Sequence, residues 1–377
     1  MKKVLIVAMA DSVHTAKWLR TFDGEAVDFV LFPSTPHRRV HKLILSHSQI
    51  QTSSKLQISK YMKYFALPLG VLDLFFDDFF RSKFLAKEIK RFKPDVIHMM
   101  ETQHAGYLTD KALDDFKTKP KLILSIWGSD LFWFKNFPKH ILRLRKLLPK
   151  IDVLVTECKR DEELARQLNF GGICINGVPA SGGFDHSEFK TQFSLAPPST
   201  RKSIAVKGYS GFVGLGPMAV RALEDVADVL SEYEVVIYSA SQLTRIIAKY
   251  VKFKTKLNIK IFIKHSLTPD QMKELFLKSR IIVGVSKSDG LPATIKEAIF
   301  TGAFPIQTNT SCAGEWFENG VSIILVEPDS PMSLTNAIRF ALQNDELVDT
   351  GAEINFEIAK NRMDSLVVRE KTSKLYG

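Results

Sequence analysis

Cysteine is scarce in this sequence: Cys158, Cys174 and Cys312 are the only three, without metal-ligand spacing or an obvious pairing. That scarcity argues against a zinc module or a disulfide scaffold and suits buried or bystander thiols in a reducing cytoplasm. Long apolar runs are missing too. No stretch reaches the roughly 18 uninterrupted apolar residues of a membrane span, so an integral membrane protein is not expected. The apolar part of MKKVLIVAMADSV is too short for a signal peptide and reads as a first buried strand. No zinc finger or RNP-like string accompanies the basic charge, which makes nucleic acid the weakest of the anionic partners.

What the sequence does have is length, a large apolar fraction and positive charge. Its 377 residues suit two domains of about 180 residues each. Hydrophobic residues make up 45% and charged residues 25%, as in an ordinary globular protein with a sizeable core. A formal net charge of +11 asks for an acidic partner, either phosphorylated substrates or an anionic membrane surface.

The densest pattern lies in residues 279–320, SRIIVGVSKSDGLPATIKEAIFTGAFPIQTNTSCAGEWFENG. Ile281 to Val285 read as a buried parallel strand. Lys287, Ser288, Asp289 and Gly290 are turn formers, and Pro292 suits the first position of a helix running to about Thr301. Gly302 then suits a left-handed cap, and Phe304, Pro305, Ile306 and Gln307 begin the next strand. The unpaired N–H groups of Ala293 and Thr294 at the head of that helix form an anion site suited to a phosphate or pyrophosphate. Asp289 precedes the helix, and Glu297 lies five residues after Pro292, roughly 7.5 Å further along the axis. Two carboxylates so placed can each accept hydrogen bonds from a different set of sugar hydroxyls.

These residues resemble the retaining glycosyltransferases of GT-B fold usually called family four, whose pattern is Glu, seven residues, Glu, then Ala and a small helix ending in Gly-x-Pro. The resemblance implies an α/β fold of two Rossmann-like domains with parallel sheets facing across a cleft. It also implies that Glu297 holds the ribose of a nucleotide sugar and Asp289 the hexose hydroxyls, with Gly290, Leu291, Ala293 and Thr294 lining the donor site. Three departures stand out. Asp289 is one methylene shorter than the usual Glu, Pro292 replaces a usual Gly and removes an amide donor, and Gly302 and Pro305 are one residue further apart than the pattern.

Other segments follow the same plan. Residues 3–10 read as strand one, with Asp11, Ser12 and His14 in a loop where relatives often carry a Gly-Gly pair that is absent here; Asp11 and His14 suit a side-chain contact to substrate, and Asp11 or Ser12 equally suits a helix cap. Residues 37–60 give few cues and read as irregular structure with short strands. Residues 61–93 read as core helices, with Asp73, Asp77 and Asp78 arguing against membrane insertion. PDVIH at 94–98 is a strand followed by a loop holding Glu101 and His104, and LILSIWGSD at 122–130 is another. Asp130 resembles the Asp of the family's Gly-Ser-Asp string, and Trp127 stands where a His is usual. Asp130 and Glu101 are reserve acid–base groups. Residues 131–150 mix Trp and Phe with Lys135, Lys139, Arg143, Arg145 and Lys146, which fits either a helix with one basic face or an anionic-lipid contact.

The Ala-Pro-Pro-Ser-Thr stretch near 196–200 is the clearest linker composition. The expected domains are 1–190 on the acceptor side, 191–357 on the donor side, and a helix at 358–377 returning to the first. In the second, Lys207 opens a Gly-rich loop and suits a phosphate point charge. By resemblance, Lys264 and His265 pass the nucleotide base. No Asp-x-Asp pair occupies a suitable loop, which favours a metal-independent reaction with no cofactor beyond the nucleotide sugar.

The expected activity is transfer of a sugar to a glycan or lipid-linked acceptor, in cell-surface polysaccharide biosynthesis. The expected place is the cytoplasm or the inner face of the cell membrane. A non-catalytic GT-B scaffold and a nucleotide-sugar epimerase are the alternatives.

Overall fold

The computed structural model describes residues 1–22, 25–49, 55–185 and 196–376, leaving aside the side chains of residues 47, 49 and 67. Two compact units divide the chain. One comprises Met1–Phe184 with Ser365–Gly377, the other Asp185–Asp364. The boundary expected at 190/191 lies outside the described residues.

The first unit is built on β1 (Lys2–Ala8), β2 (Val27–Pro33), β3 (Lys55–Ile58), β4 (Val96–Met100), β5 (Lys121–Ser125), β6 (Val153–Val155) and β7 (Ile173–Ile175). These form one sheet in the order β3-β2-β1-β4-β5-β6-β7, and every pairing is parallel. The second unit has β8 (Ser203–Lys207), β9 (Glu234–Ala240), β10 (Asn258–Ile263), β11 (Ser279–Gly284), β12 (Phe304–Thr308) and β13 (Ile324–Val326). Their order is β10-β9-β8-β11-β12-β13, again wholly parallel. Each sheet reverses its strand order once, at β1/β4 and at β8/β11. The alternating strand and helix pattern thus produces two Rossmann-like halves.

Central strands lie between helix layers, so both faces must be apolar. Val4, Leu5, Ile6 and Val7 of β1, and Ile281, Ile282 and Val283 of β11, are fully buried. The carboxyl-terminal segment completes the first core. Tyr376 is buried against Phe22 and Phe29, accepts a hydrogen bond from Trp18 Nε1 at 3.1 Å, and pairs its hydroxyl with His98 Nδ1 at 2.7 Å. His98 Nε2 reaches Ser125 Oγ at 2.7 Å, and burial pushes its pKa down to about 3.

Two stretches differ from expectation. Within 37–60, a helix covers Lys42–Gln49 before β3. Residues 61–93 do form helices, at Leu67–Phe75 and Phe79–Phe92, but the first is not in the core. Leu74 and Phe75 are 83% and 79% exposed. No helix among the described residues is long and apolar enough to cross a membrane.

Candidate active site

In an open parallel sheet, ligands gather beyond the carboxyl ends of the strands where the order reverses. For the second unit that point lies above β8 and β11. Lys207 closes β8, and the Gly-rich loop after it is fastened to the loop after β11. Leu215 N–H donates to the Val285 carbonyl at 3.1 Å, and Lys287 N–H donates to the Val213 carbonyl at 2.8 Å. On its other side the loop is tied to β9, since Gly208 N–H donates to the Tyr238 carbonyl at 2.8 Å and Ser241 N–H to the Gly208 carbonyl at 3.1 Å. Glycine is required where the loop folds on itself. A Cβ at Gly216 would come within 2.5 Å of the Gly208 backbone, and one at Gly214 within 2.5 Å of the Tyr209 carbonyl oxygen.

The acidic turn is held from β12. Thr308 Oγ1 accepts from Ser286 N–H at 3.1 Å and donates to the Ser286 carbonyl at 2.8 Å, while Thr310 Oγ1 donates to the same carbonyl at 2.6 Å. Gly290 receives the Cys312 N–H on its carbonyl at 3.0 Å and donates its own N–H to Asp289 Oδ1 at 2.9 Å. Asp289 is half-buried and Leu291 is buried. The turn is therefore a fixed shelf under the helix that follows.

That helix is Ala293–Ile299, with Pro292 as its cap and not its first residue. The fixed φ of Pro292, at −56° with ψ at 129°, keeps it extended, so its carbonyl can accept from Ile295 and Lys296. Ala293 and Thr294 precede the first intrahelical donors and direct their N–H groups out of the helix end. The helix stops two residues earlier than expected, as Gly302 turns left-handed at φ 83° and leads into β12. Over only seven residues the helix dipole is short, so the local N–H donors matter more than the dipole. Glu297 lies one turn on and is half-buried.

Tyr238 is a buried neighbour of this helix head that sequence reasoning missed. It is fully buried on β9, and burial, with Glu297 adding to it, pushes its phenol above the usual range while Thr294 lies within reach of its hydroxyl. Only the strand order, which sets β9 beside β8 and opposite this helix, could have found it. Lys207, Asp289, Gly290, Leu291, Ala293, Thr294 and Glu297 thus all belong to the loops and helix at one switch point. Lys264 and His265 do not. Both are exposed just past β10 at the sheet edge, three strands from β11, or roughly 14 Å at about 4.8 Å per strand.

Glu101 and Asp130 form a separate group at the β1/β4 switch of the first unit. Glu101 has φ 83° and ψ 157°, a conformation costly for any residue but glycine, and its carboxylate takes N–H bonds from His104 at 2.8 Å and Ala105 at 2.6 Å. Asp130 accepts from Thr102 N–H at 2.8 Å. Burial raises each carboxyl to about 7, and for Asp130 the neighbouring Glu101 adds to the effect. A protonation equilibrium near neutrality is what acid–base work needs, yet these carboxyls bond mainly to the 101–106 turn, with the Trp127 backbone as a further partner of Asp130. Nearby, the His14 and Trp127 rings lie 5.4 Å apart, and Ser12, not Asp11, caps the helix after β1 by accepting the His14 N–H at 3.2 Å.

Comparison with known proteins follows the same division. Residues 3–157 match the family described as Glycosyl transferase 4-like, and residues 221–354 match Glycosyl transferases group 1. No curated protein matches the chain by sequence. Among solved structures, Anabaena HepE in complex with UDP superposes with a TM-score of 0.70 at 13% identity, covering 100% of this chain and 99% of that one. The α,α-trehalose 6-phosphate synthase of Burkholderia multivorans gives 0.73 at 11% identity over 100% and 98%. Sucrose-phosphate synthase from Thermosynechococcus elongatus gives 0.69 at 10% identity over 100% and 98%. At such identities the likeness speaks for the fold, and the two family matches speak for the chemistry. The chain belongs to the GT-B glycosyltransferases.

Proposed function

We propose that this protein moves a sugar, with retention of anomeric configuration, from a nucleotide-diphosphate donor to a glycan or lipid-linked acceptor in cell-surface polysaccharide biosynthesis. One observation carries the reading. The Gly-rich loop after Lys207 and the acidic turn at 289 are hydrogen-bonded together at the β8/β11 switch, directly before the N–H groups of Ala293 and Thr294. Similar folds hold UDP and UDP-glucose in Anabaena HepE. The donor's diphosphate sits against those amides with Lys207 as its counter-charge. Glu297 accepts from the ribose hydroxyls and Asp289 from the transferred sugar.

When the bond from the anomeric carbon to the diphosphate oxygen breaks, negative charge grows on the leaving oxygens. Fixed N–H donors and Lys207 stabilise that charge without reorganising. The acceptor hydroxyl attacks on the same face, and the departing phosphate takes its proton. No metal and no cofactor enter this scheme, with Glu101 and Asp130 in reserve as acid–base groups. Lys264 and His265 serve the base through their backbone, as exposed residues beyond a sheet edge can. The acceptor side belongs to the first unit. A cytoplasmic protein in reversible contact with an anionic inner membrane face fits the charge of +11.

Glu297→Ala is the test. Transfer should vanish while the unfolding midpoint stays within ordinary surface-substitution limits, about 0.5 kcal/mol. Normal turnover in that variant would remove the assignment. Calorimetric titration with a panel of nucleoside diphosphates, followed by NMR of the product's anomeric proton, separates transfer from scaffolding and epimerisation.

A further inference from the structure

An exposed apolar ridge on the first unit is unlike the rest of its surface. Along 64–79, Tyr64, Val71, Leu72, Leu74, Phe75, Phe76 and Phe79 are 50%, 48%, 43%, 83%, 79%, 56% and 44% exposed. Scattered apolar residues on a surface are ordinary, but seven large ones within sixteen positions form a patch, and such a patch marks a contact. The ridge is held firmly in place. Gly70 lies against Pro36, whose Cγ would sit 3.1 Å from an added Cβ. Asp73 is 1% exposed, pairs with Arg81 Nε at 2.8 Å and accepts the Phe80 N–H at 2.9 Å, which fastens the Leu67–Phe75 helix to the next one.

The acidic residues of this stretch are all committed to internal cations. Asp73 and Asp78 both pair with Arg81, and Asp77 pairs with Arg143 at 3.1 Å and Lys111 at 3.6 Å. Basic side chains flank the apolar ones. Lys63 lies over the Tyr64 ring at 5.0 Å and Lys83, which also pairs with the exposed Asp115 at 3.4 Å, lies over the Phe79 ring at 5.6 Å, with Lys60 and Lys87 exposed beside them. An apolar crest with its acids neutralised and cations on its flanks has the chemistry of an interfacial anchor. The nine-residue helix, with two leucyl or phenylalanyl side chains at its tip, is far too short to span a bilayer but long enough to enter the headgroup boundary.

We propose that residues 71–79 dock this protein on an anionic lipid surface, with Leu74 and Phe75 inserted and Lys60, Lys63, Lys83 and Lys87 against the headgroups. This deepens the membrane contact suggested above and moves it. The 131–150 segment turns Leu144, Leu147 and Leu148 into the core and leaves Leu142 and Phe137 as its exposed apolar contribution. A second copy of the chain is a poorer occupant, since two such ridges would oppose lysines to lysines.

The test is vesicle flotation with phosphatidylcholine alone and with phosphatidylcholine containing phosphatidylglycerol, at low and high salt. The probes are the full chain and its Leu74→Ser/Phe75→Ser double variant, whose altered side chains are exposed and leave the core untouched. Wild type should float with the anionic vesicles only, less so at high salt, and the double variant should lose at least about tenfold in bound fraction. Failure of wild type to bind, equal binding by the variant, or a wild-type dimer that the substitutions dissociate would overturn the proposal. UDP titration keeps the two readings apart. A chain that binds UDP but does not float with anionic vesicles sinks the docking alone, whereas a chain that floats but binds no UDP sinks the transferase reading alone.

Discussion

Single residues decide whether the donor site can exist. Gly216 is the plainest case, because a Cβ there would lie only 2.5 Å from the Gly208 backbone. Gly216→Ala should lower stability by about 1–3 kcal/mol through overpacking and weaken UDP binding at the same time. Denaturant titration and calorimetry of the one variant check both, and an unchanged UDP affinity would separate the loop from the site. Titratable groups in the first unit give a second test. Glu101, Asp130 and Asp161 are buried carboxyls raised to about 7, so the folded chain holds their protons more tightly than the unfolded chain does. Their effect favours the fold most below the unfolded carboxylate range near pH 4 and is lost as pH rises to about 7. His98, lowered to about 3, acts in the opposite sense between its unfolded value of 6.5 and that limit. Burial also lowers His41, His104 and His140, each less than His98. Three large carboxyl shifts outweigh one large and three smaller imidazole shifts, so the unit's denaturant midpoint should be higher at pH 5 than at pH 7.5. A midpoint that instead rises with pH would contradict the environment described for these groups.

Secondary elements show how much of the molecule the chain announces. The strand, acidic turn, helix and strand from 279 to 308 are legible because a short β-branched run, turn formers, proline and a left-handed glycine follow in the order a parallel unit needs. Tyr238 is not legible, since its relation to Thr294 and Glu297 depends on which strands neighbour each other, and sequence order does not state that. The Leu67–Phe75 helix misleads for a different reason. A helix apolar on nearly every side reads as buried, and its exposure follows only from Gly70 and Asp73 taking the inward face. The Lys42–Gln49 helix has no acidic first turn, and its cap is the His41 ring, whose Nδ1 accepts the Leu43 N–H at 3.2 Å, so none of the usual capping residues marks where it starts. The carboxyl-terminal element carries its own prediction. Tyr376→Phe removes the acceptor of Trp18 Nε1 and the partner of His98, leaving buried polar atoms unpaired. The expected cost is about 1–3 kcal/mol, read from the unfolding midpoint. No loss would mean that the hydroxyl is not what secures the segment Ser365–Gly377.

At the scale of the whole molecule, each unit repeats one design: a parallel sheet that reverses its order once and collects polar loops beyond the reversal. The repetition is visible in the alternating pattern of strands and helices, and the two family matches fall on the two halves. What distinguishes the halves is chemistry. The β8/β11 switch offers N–H groups, a lysine and two half-buried carboxylates, whereas the β1/β4 switch offers carboxyls buried enough to hold their protons near neutrality. The first set suits a diphosphate between two sets of hydroxyls, and that assignment is the central claim. A crystal structure of the protein with UDP tests it most directly. The diphosphate should accept hydrogen bonds from Ala293 and Thr294, with the ribose hydroxyls on Glu297. Density for UDP in any other crevice, with the space before residues 292–297 unoccupied, would contradict the account.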